Sequence, residues 1–288
     1  MIRRSLWGRR SVLAAGGAAL LASGVSRAEE SPVRFGLTPV FLDSDTQLLA
    51  SLEQYLSDQI GRPVALIKKR TYQEITLMLL SGQLDAAWIC GFPYVQYRDR
   101  LSLLAIPLYN GRPEYQAYLL AGAKSQARSL SDLKGQVHAF SDPDSNSGFL
   151  VTRALLARLE ETPETFFTDT FFTYGHRNVI RAVSSGLANS GSVDGYVWDV
   201  MNSLQREMVL RTRVVRKSEW FGFPPIACTR ASRDSKTVQH VAQALFDMPN
   251  HPRGRQILST LHLDGFVEGD DRLFEGIARN VKLVRDQA

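Results

Sequence analysis

Ser141 to Leu150 read SDPDSNSGFL, more polar side chains than the start of one helix needs. Asp142-Pro143 favours a turn, and Ser145, Asn146 and Ser147 then lead into the helical stretch GFLVTRALLARLEE. A helix start presents unpaired backbone N–H groups at the positive end of the helix dipole, which is the chemistry of an anion cradle. Hydroxyls at Ser145 and Ser147 and the amide of Asn146 add donors toward the same oxygens; an ordinary N-cap is the plainer alternative. The dipole contributes only about 0.3–1 kcal/mol, or ~2 when partly buried. Micromolar binding requires about −8 kcal/mol, so several charge-assisted hydrogen bonds of roughly 1.5–3 kcal/mol each must converge. Other segments must supply them.

Five segments offer candidates. YGHRNVIRAVSSG sets His176 at the start of a second helix, where it either donates to an oxyanion or caps the helix. VDGYVWDV reads as a strand ending at Asp199, and strand C-termini in α/β folds face the ligand crevice. Tyr72 opens the helical stretch TYQEITLMLLSGQ, and Tyr115 lies on an extended crossing; tyrosines at such places pack more often than they bind. Cys90, in AWICGFPYV, ends a third strand and faces the crevice, unless it is simply a small buried thiol. The other cysteine is Cys228, and in an oxidising compartment the two could pair. Without CxxC or His-rich spacing no metal site is expected, and nothing calls for a cofactor.

The elements that must position these residues alternate along the chain. Short strand-like runs (VRFGLT, PVALIKK, DAAWIC, LSLLAIPL) are separated by helical spacing over 46–61 and 71–83. A fresh series follows: strand QVHAFS, helix 147–159, helix 176–186, strand DGYVWD, helix 199–208 and strand LRTRVVR. FGFPPIACT reads as a return crossing before three helices at about 236–247, 252–261 and 270–284. This order predicts an α/β protein of two lobes, with largely parallel sheets and a ligand cleft between the lobes. Residues 29–118 and 222–288 form the first lobe and 119–221 the second, and hinge closure is the expected motion.

The 288 residues carry a formal charge of +5, which by itself would point toward nucleic acid. Residues 1–28 remove that argument. They combine Arg3, Arg4, Arg9 and Arg10 with a short apolar run and a small-residue end at Ser26-Arg27-Ala28, the pattern of a signal peptide. Arg9-Arg10-Ser11-Val12-Leu13 is similar to the twin-arginine export pattern, with ordinary secretion as the alternative. Removing the segment takes away five arginines and lowers Lys plus Arg from 34 to 29, equal to the 29 Asp plus Glu. A neutral periplasmic protein with no nucleic-acid partner is the result.

Taken together, TYQEITLMLLSGQLDAAWICGFPYV, SDPDSNSGFLV, YGHRNVIRAVSSG and SVDGYVWDV resemble the periplasmic phosphonate-binding family of ABC transporters, with WFGFPPIACT as a weaker landmark. The resemblance spans nearly the whole chain after residue 28, and its most specific element is the family's Asp-Pro-x-Ser-Thr-Ser-Gly before a helix. It implies a type II periplasmic-binding-protein fold, no enzymatic activity, a small phosphorus oxyanion as ligand and an ABC permease as partner for a monomeric protein. The family's Ser-Thr-Ser triplet corresponds to Ser145, Asn146 and Ser147, its binding histidine to His176, its two tyrosines to Tyr72 and Tyr115, and its acidic position to Asp199. Asn146 replaces the family's threonine, the link after the histidine helix looks longer than usual, and Cys90 stands where many relatives carry a smaller residue. That cysteine opens an alternative. The resemblance extends to periplasmic arsenite-sensing relatives that use a cleft cysteine and a membrane histidine kinase, a role that a Cys90–Cys228 disulfide would exclude. A hydrolase built from Cys90, His176 and Asp199 lacks any nucleophile motif.

Overall fold

Alternation of apolar side chains makes Val33, Phe35 and Leu37 the buried face of the first strand, as their spacing predicts. The structure is a computed structural model that describes residues 31–39 and 46–287. The expected signal peptide therefore lies outside the described residues. In chain order the first strands are β1 (Val33–Leu37), β2 (Val64–Lys68), β3 (Ala86–Trp88), β4 (Leu101–Leu108), β5 (Glu114–Gly122) and β6 (Val137–Phe140). There follow β7 (Asp169–Phe172), β8 (Ser190–Asp194), β9 (Thr212–Gly222), β10 (Ile226–Thr229) and β11 (Gly265–Val267).

These strands form two sheets, one ordered β11-β4-β10-β3-β1-β2 and the other β7-β6-β8-β5-β9. Both are mixed rather than largely parallel. β1 runs parallel to β2 and β3, and β6 parallel to β7 and β8, whereas β10 is antiparallel to β3 and β4, and β5 to β8 and β9. The antiparallel members follow from the crossings. β5 enters the second sheet directly from β4 of the first, and β10 returns from β9. The two crossings lie side by side, with Phe223 N–H donating to the Pro113 carbonyl at 2.9 Å. The final helix, Glu275–Arg285, packs against both the short helix after Cys90 and the helix after Ser147.

One strand expected from sequence lies elsewhere. Tyr-Val-Trp in DGYVWD has strand-like side chains, yet Gly195–Leu204 is a helix and the strand is the preceding SGSVD of β8. Two features override propensity. Asp194 caps the helix by accepting the Tyr196 N–H at 2.8 Å. Small residues are required in β8 because it is packed between β6 and β5 under the His176 helix; a Cβ on Gly191 would fall 2.4 Å from Val179 Cγ1. Asp199 thus sits in the second turn of a helix, and Asp194 occupies the strand end.

Candidate functional site

The sheet geometry brings the candidates to one end of each sheet. Cys90 follows β3, the run Ser141–Ser147 follows β6, His176 follows β7, and Asp194 ends β8. Tyr72 opens the helix (Tyr72–Leu80) that follows β2. Tyr115 reaches the same end from the opposite direction, because antiparallel β5 pairs Ala117 with Asp194 and so carries Tyr115 just past the end of β8.

Past β6 the chain does not enter a regular α-helix. Asn146–Leu150 is a π-turn that precedes the α-helical Val151–Ala157, with Leu150 N–H donating to the Ser145 carbonyl at 3.0 Å. Single π-turns of this kind recur at functional sites because they widen the helix mouth. Ser145 Oγ accepts the Gly148 N–H at 3.0 Å. Gly148 is required there, since a Cβ would meet Ser141 Oγ at 1.7 Å. The sequence expectation of a polar helix start is met, and the π-turn is what the residue types alone do not reveal.

Around this mouth Tyr72, Cys90, Tyr115, Asn146, His176 and Asp194 are each at most 3% exposed. Asn146 N–H donates to Cys90 Sγ at 3.3 Å, and Asn146 Nδ2 donates to Tyr115 Oη at 2.9 Å. Ser147 adds a side-chain hydrogen bond to Tyr115. Tyr72 Oη lies 3.2 Å from His176 Nε2. The Asp194 N–H donates to His176 Nδ1 at 3.1 Å, which fixes the neutral ring with its proton on Nε2, pointing at Tyr72. Tyr72 can then turn its own hydroxyl proton to another acceptor. Asn146 Oδ1 and Ser141 Oγ are buried with no partner among the described residues, in a loop otherwise well satisfied.

Burial dominates the electrostatics. It pushes His176 down to about 3, so the ring is neutral. It raises the Tyr72 and Tyr115 phenols well above 10 and the Cys90 thiol to about 12, so all three keep their protons. After burial, Cys90 and then the nearby carboxyls raise the two phenols further, and Asp194 and Asp142 raise the thiol. Asp194 is itself raised from 3.8 to about 8 by burial, against the pull of the Tyr196 and Val197 amides. The cluster is a set of neutral donors around one reluctant acid, suited to an oxyanion that shares a proton with it.

The structure therefore gathers Tyr72, Cys90, Tyr115, Asn146, Ser147 and His176, with Ser145 capping the mouth. Asp199 is set apart: its carboxylate accepts from Tyr118 Oη at 3.2 Å and Tyr109 Oη at 3.5 Å, beside the crossings. The acid brought to the cluster is Asp194, which the expected strand DGYVWD hides because the observed strand ends several residues earlier; the helix-capping Asp-Gly pair is the local signal for it. The disulfide is ruled out as well. Both thiols are free, and the pairing of Ile226 with Trp88 and Ala227 with Ala87 sends Cys228 away from Cys90. Four residues of strand separate their levels, about 13 Å, beyond the ~7 Å reach of a disulfide. Among the described residues no group of His, Cys, Asp or Glu is placed to hold a metal ion, and no helix is long and apolar enough to cross a membrane.

The sequence profile of the periplasmic substrate-binding proteins of phosphonate ABC transporters matches residues 35–274. The chain belongs to that family. Its members bind solutes for transport and are not enzymes. The phosphate-import protein PhnD of Mycolicibacterium smegmatis is 26% identical over 179 residues, which cover 57% of this chain and 56% of the relative. The match thus spans little more than half of that relative. The binding component of a phosphonate ABC transporter from Pseudomonas aeruginosa has the same fold, with TM-score 0.81, 20% identity, and 89% and 87% of the two chains covered. So does PhnD1 of Prochlorococcus marinus in complex with methylphosphonate, with TM-score 0.79, 16% identity, and 88% and 98% covered. The architecture is that of a type II periplasmic binding protein. Neither the family nor these relatives points to arsenite sensing.

Proposed function

We propose that this chain captures a small phosphorus oxyanion (phosphonate, phosphite or phosphate) in the periplasm and delivers it to an ABC permease, after export by its N-terminal segment. One observation carries the reading: neutral donors from both sheets meet at the π-turn mouth, in a loop where the Ser141 hydroxyl is buried and unpartnered. In the proposed complex the oxygens accept from Tyr72, Tyr115 and Ser147 and from the helix-mouth amides, while His176 donates to Tyr72 Oη and so frees that hydroxyl's proton for the ligand. Cys90 packs against that mouth as a protonated thiol.

Asp194 refines the ligand class. An ionised carboxylate would repel a dianion, so one proton must lie between Asp194 and the nearest ligand oxygen. Phosphorylated groups have a second pKa near ~6, close enough to the value of about 8 for Asp194 that a shared proton is well matched. Sulfate, a far stronger acid, offers no such match.

A thermal-shift panel of phosphate, phosphite, methylphosphonate, aminoethylphosphonate, sulfate and arsenite tests the reading. A phosphorus oxyanion at a hundredfold excess over its Kd should raise Tm by about 5–10 °C, and the shift should survive Cys90→Ser. Stabilisation by arsenite alone, lost in Cys90→Ser, would refute it.

A further inference from the structure

Asp142 opens the turn after β6, and its carboxylate makes a contact that local structure does not require. The helix Tyr72–Leu80, on the first sheet, has a complete capping box of its own: Thr71 Oγ1 accepts the Glu74 N–H, and Glu74 Oε2 accepts the Thr71 N–H. That leaves the Tyr72 N–H. Its partner is Asp142 Oδ2 at 3.3 Å, from the loop after β6 on the second sheet. The other oxygen, Oδ1, accepts the Asp144 N–H at 2.8 Å, so the carboxylate is braced by its own loop and aimed at the positive end of the facing helix.

A second contact spans the same seam. Arg70, just before that helix, lays its guanidinium 5.3 Å from the ring centre of Tyr174, which belongs to the loop after β7. Tyr174 adopts a positive φ of 53°, a left-handed conformation strained for a bulky aromatic residue. The two residues following Arg70 end at Tyr72, and the two following Tyr174 end at His176, so the contact brackets the Tyr72–His176 hydrogen bond from outside.

We propose that Asp142 and the Arg70–Tyr174 pair form a closure clasp, positioning residues that hold the start of the Tyr72 helix on the facing half once a ligand is enclosed. The inference rests on the ligand lying where Tyr72 meets His176. Neither contact uses a ligand atom. Their effect is on the lifetime of the closed state, and through it on how long Tyr72 stays in place.

Stopped-flow binding of methylphosphonate to the purified protein tests this, read from tryptophan fluorescence. Trp88 is a built-in reporter, since its indole donates to the Pro224 carbonyl of the return crossing at 2.8 Å. Loss of a charge-assisted hydrogen bond in Asp142→Ala should raise the dissociation rate about 10- to 100-fold with the association rate unchanged. Asp142→Asn, which keeps an acceptor, should recover part of the loss. Arg70→Met, an exposed change that leaves folding intact, should raise the dissociation rate about 2- to 5-fold. Dissociation rates equal to wild type in Asp142→Ala and Arg70→Met would overturn the clasp. So would a slower association with unchanged dissociation in Arg70→Met, which would make Arg70 an electrostatic attractor. If Asp142→Ala lowers the melting temperature of the unliganded protein, Arg70→Met decides. Should wild type bind no phosphorus oxyanion, the ligand reading fails by itself. The clasp is then judged from the separation of labels on the two halves, which Asp142→Ala should increase and which must stay unchanged if the clasp is wrong.

Discussion

Replacing Asp194 with asparagine tests the proton that the proposed complex must contain. Burial raises this carboxyl from 3.8 to about 8, which corresponds to roughly 6 kcal/mol against ionisation in the folded protein. At pH 7 about nine in ten Asp194 side chains then carry a proton. A ligand oxygen beside the carboxyl shares that one proton, whichever atom holds it formally. Above pH 8 the proton has to be drawn from solvent, and affinity for methylphosphonate should fall by up to about tenfold per pH unit. In Asp194→Asn the amide donates an N–H that does not titrate. Calorimetry from pH 6 to 10, in two buffers of different ionisation enthalpy, measures both Kd and protons taken up. The ligand's own ionisation is common to both proteins, so the ratio of their Kd values isolates the carboxyl. That ratio should change about tenfold per unit above pH 8, with less proton uptake in the variant. A constant ratio, or equal uptake, would refute the reasoning. Stability carries the same sign. The unfolded carboxyl loses its proton near 3.8 and the folded one near 8, so the folded state binds more protons in between. Stability should fall as pH rises through that window, and Asp194→Asn should remove that share of the slope. Asp199→Asn should perturb the Kd ratio far less than Asp194→Asn, because its carboxylate rests on Tyr109 and Tyr118 and reaches Asp194 only as a like charge that adds a little to the Asp194 shift.

Other substitutions probe the remaining parts of the site. Gly148→Ala forces a Cβ to within 1.7 Å of Ser141 Oγ; it should cost about 1–3 kcal/mol and at least tenfold in affinity, and an unchanged Tm would argue against the tight loop. Cys90→Ser keeps an acceptor for the Asn146 N–H and should hold methylphosphonate affinity within about threefold, by calorimetry. Its thiol, raised to about 12, should react with iodoacetamide at pH 8 only after denaturation. His138 lies between Ser190 Oγ at 2.8 Å and Ser192 Oγ at 2.9 Å, and burial lowers it from 6.5 to about 3. Its unfolded form binds a proton first, so the stability it contributes is present above pH 6.5 and lost toward 3. The difference in Tm between wild type and His138→Gln should shrink as pH falls through that window.

Much of this was legible in the sequence because the signals were local. Tyr72, His176 and the Ser145–Ser147 run open helices that follow strands, and in an α/β protein strand ends face a cleft. The failures share a different cause. The β-branched and aromatic side chains of DGYVWD predict a strand, while the strand observed, SGSVD, is built of small residues that only a crowded sheet centre demands. That shift alone exchanged Asp199 for Asp194. The separation of Cys90 from Cys228 depends on the direction in which β10 returns beside β3, a long-range pairing that no window of sequence encodes. The π-turn at Asn146 arises from Ser141 and Gly148 meeting across the loop, which spacing along the chain does not report.

The neutrality of the site bears on how binding is coupled to motion. A lysine or arginine on one half could hold an anion before the halves met. Here the donors are phenols, a serine hydroxyl and amides, with an imidazole orienting one phenol, each worth little while it still faces water. Tyr72 and Cys90 come from the first sheet, and Asn146, Tyr115 and His176 from the second. On the proposed reading neither set grips the ligand alone, and the donors gain strength only when closure excludes solvent from all of them together. Affinity and closure then become one event, so a permease that recognises the closed shape is thereby recognising the loaded protein.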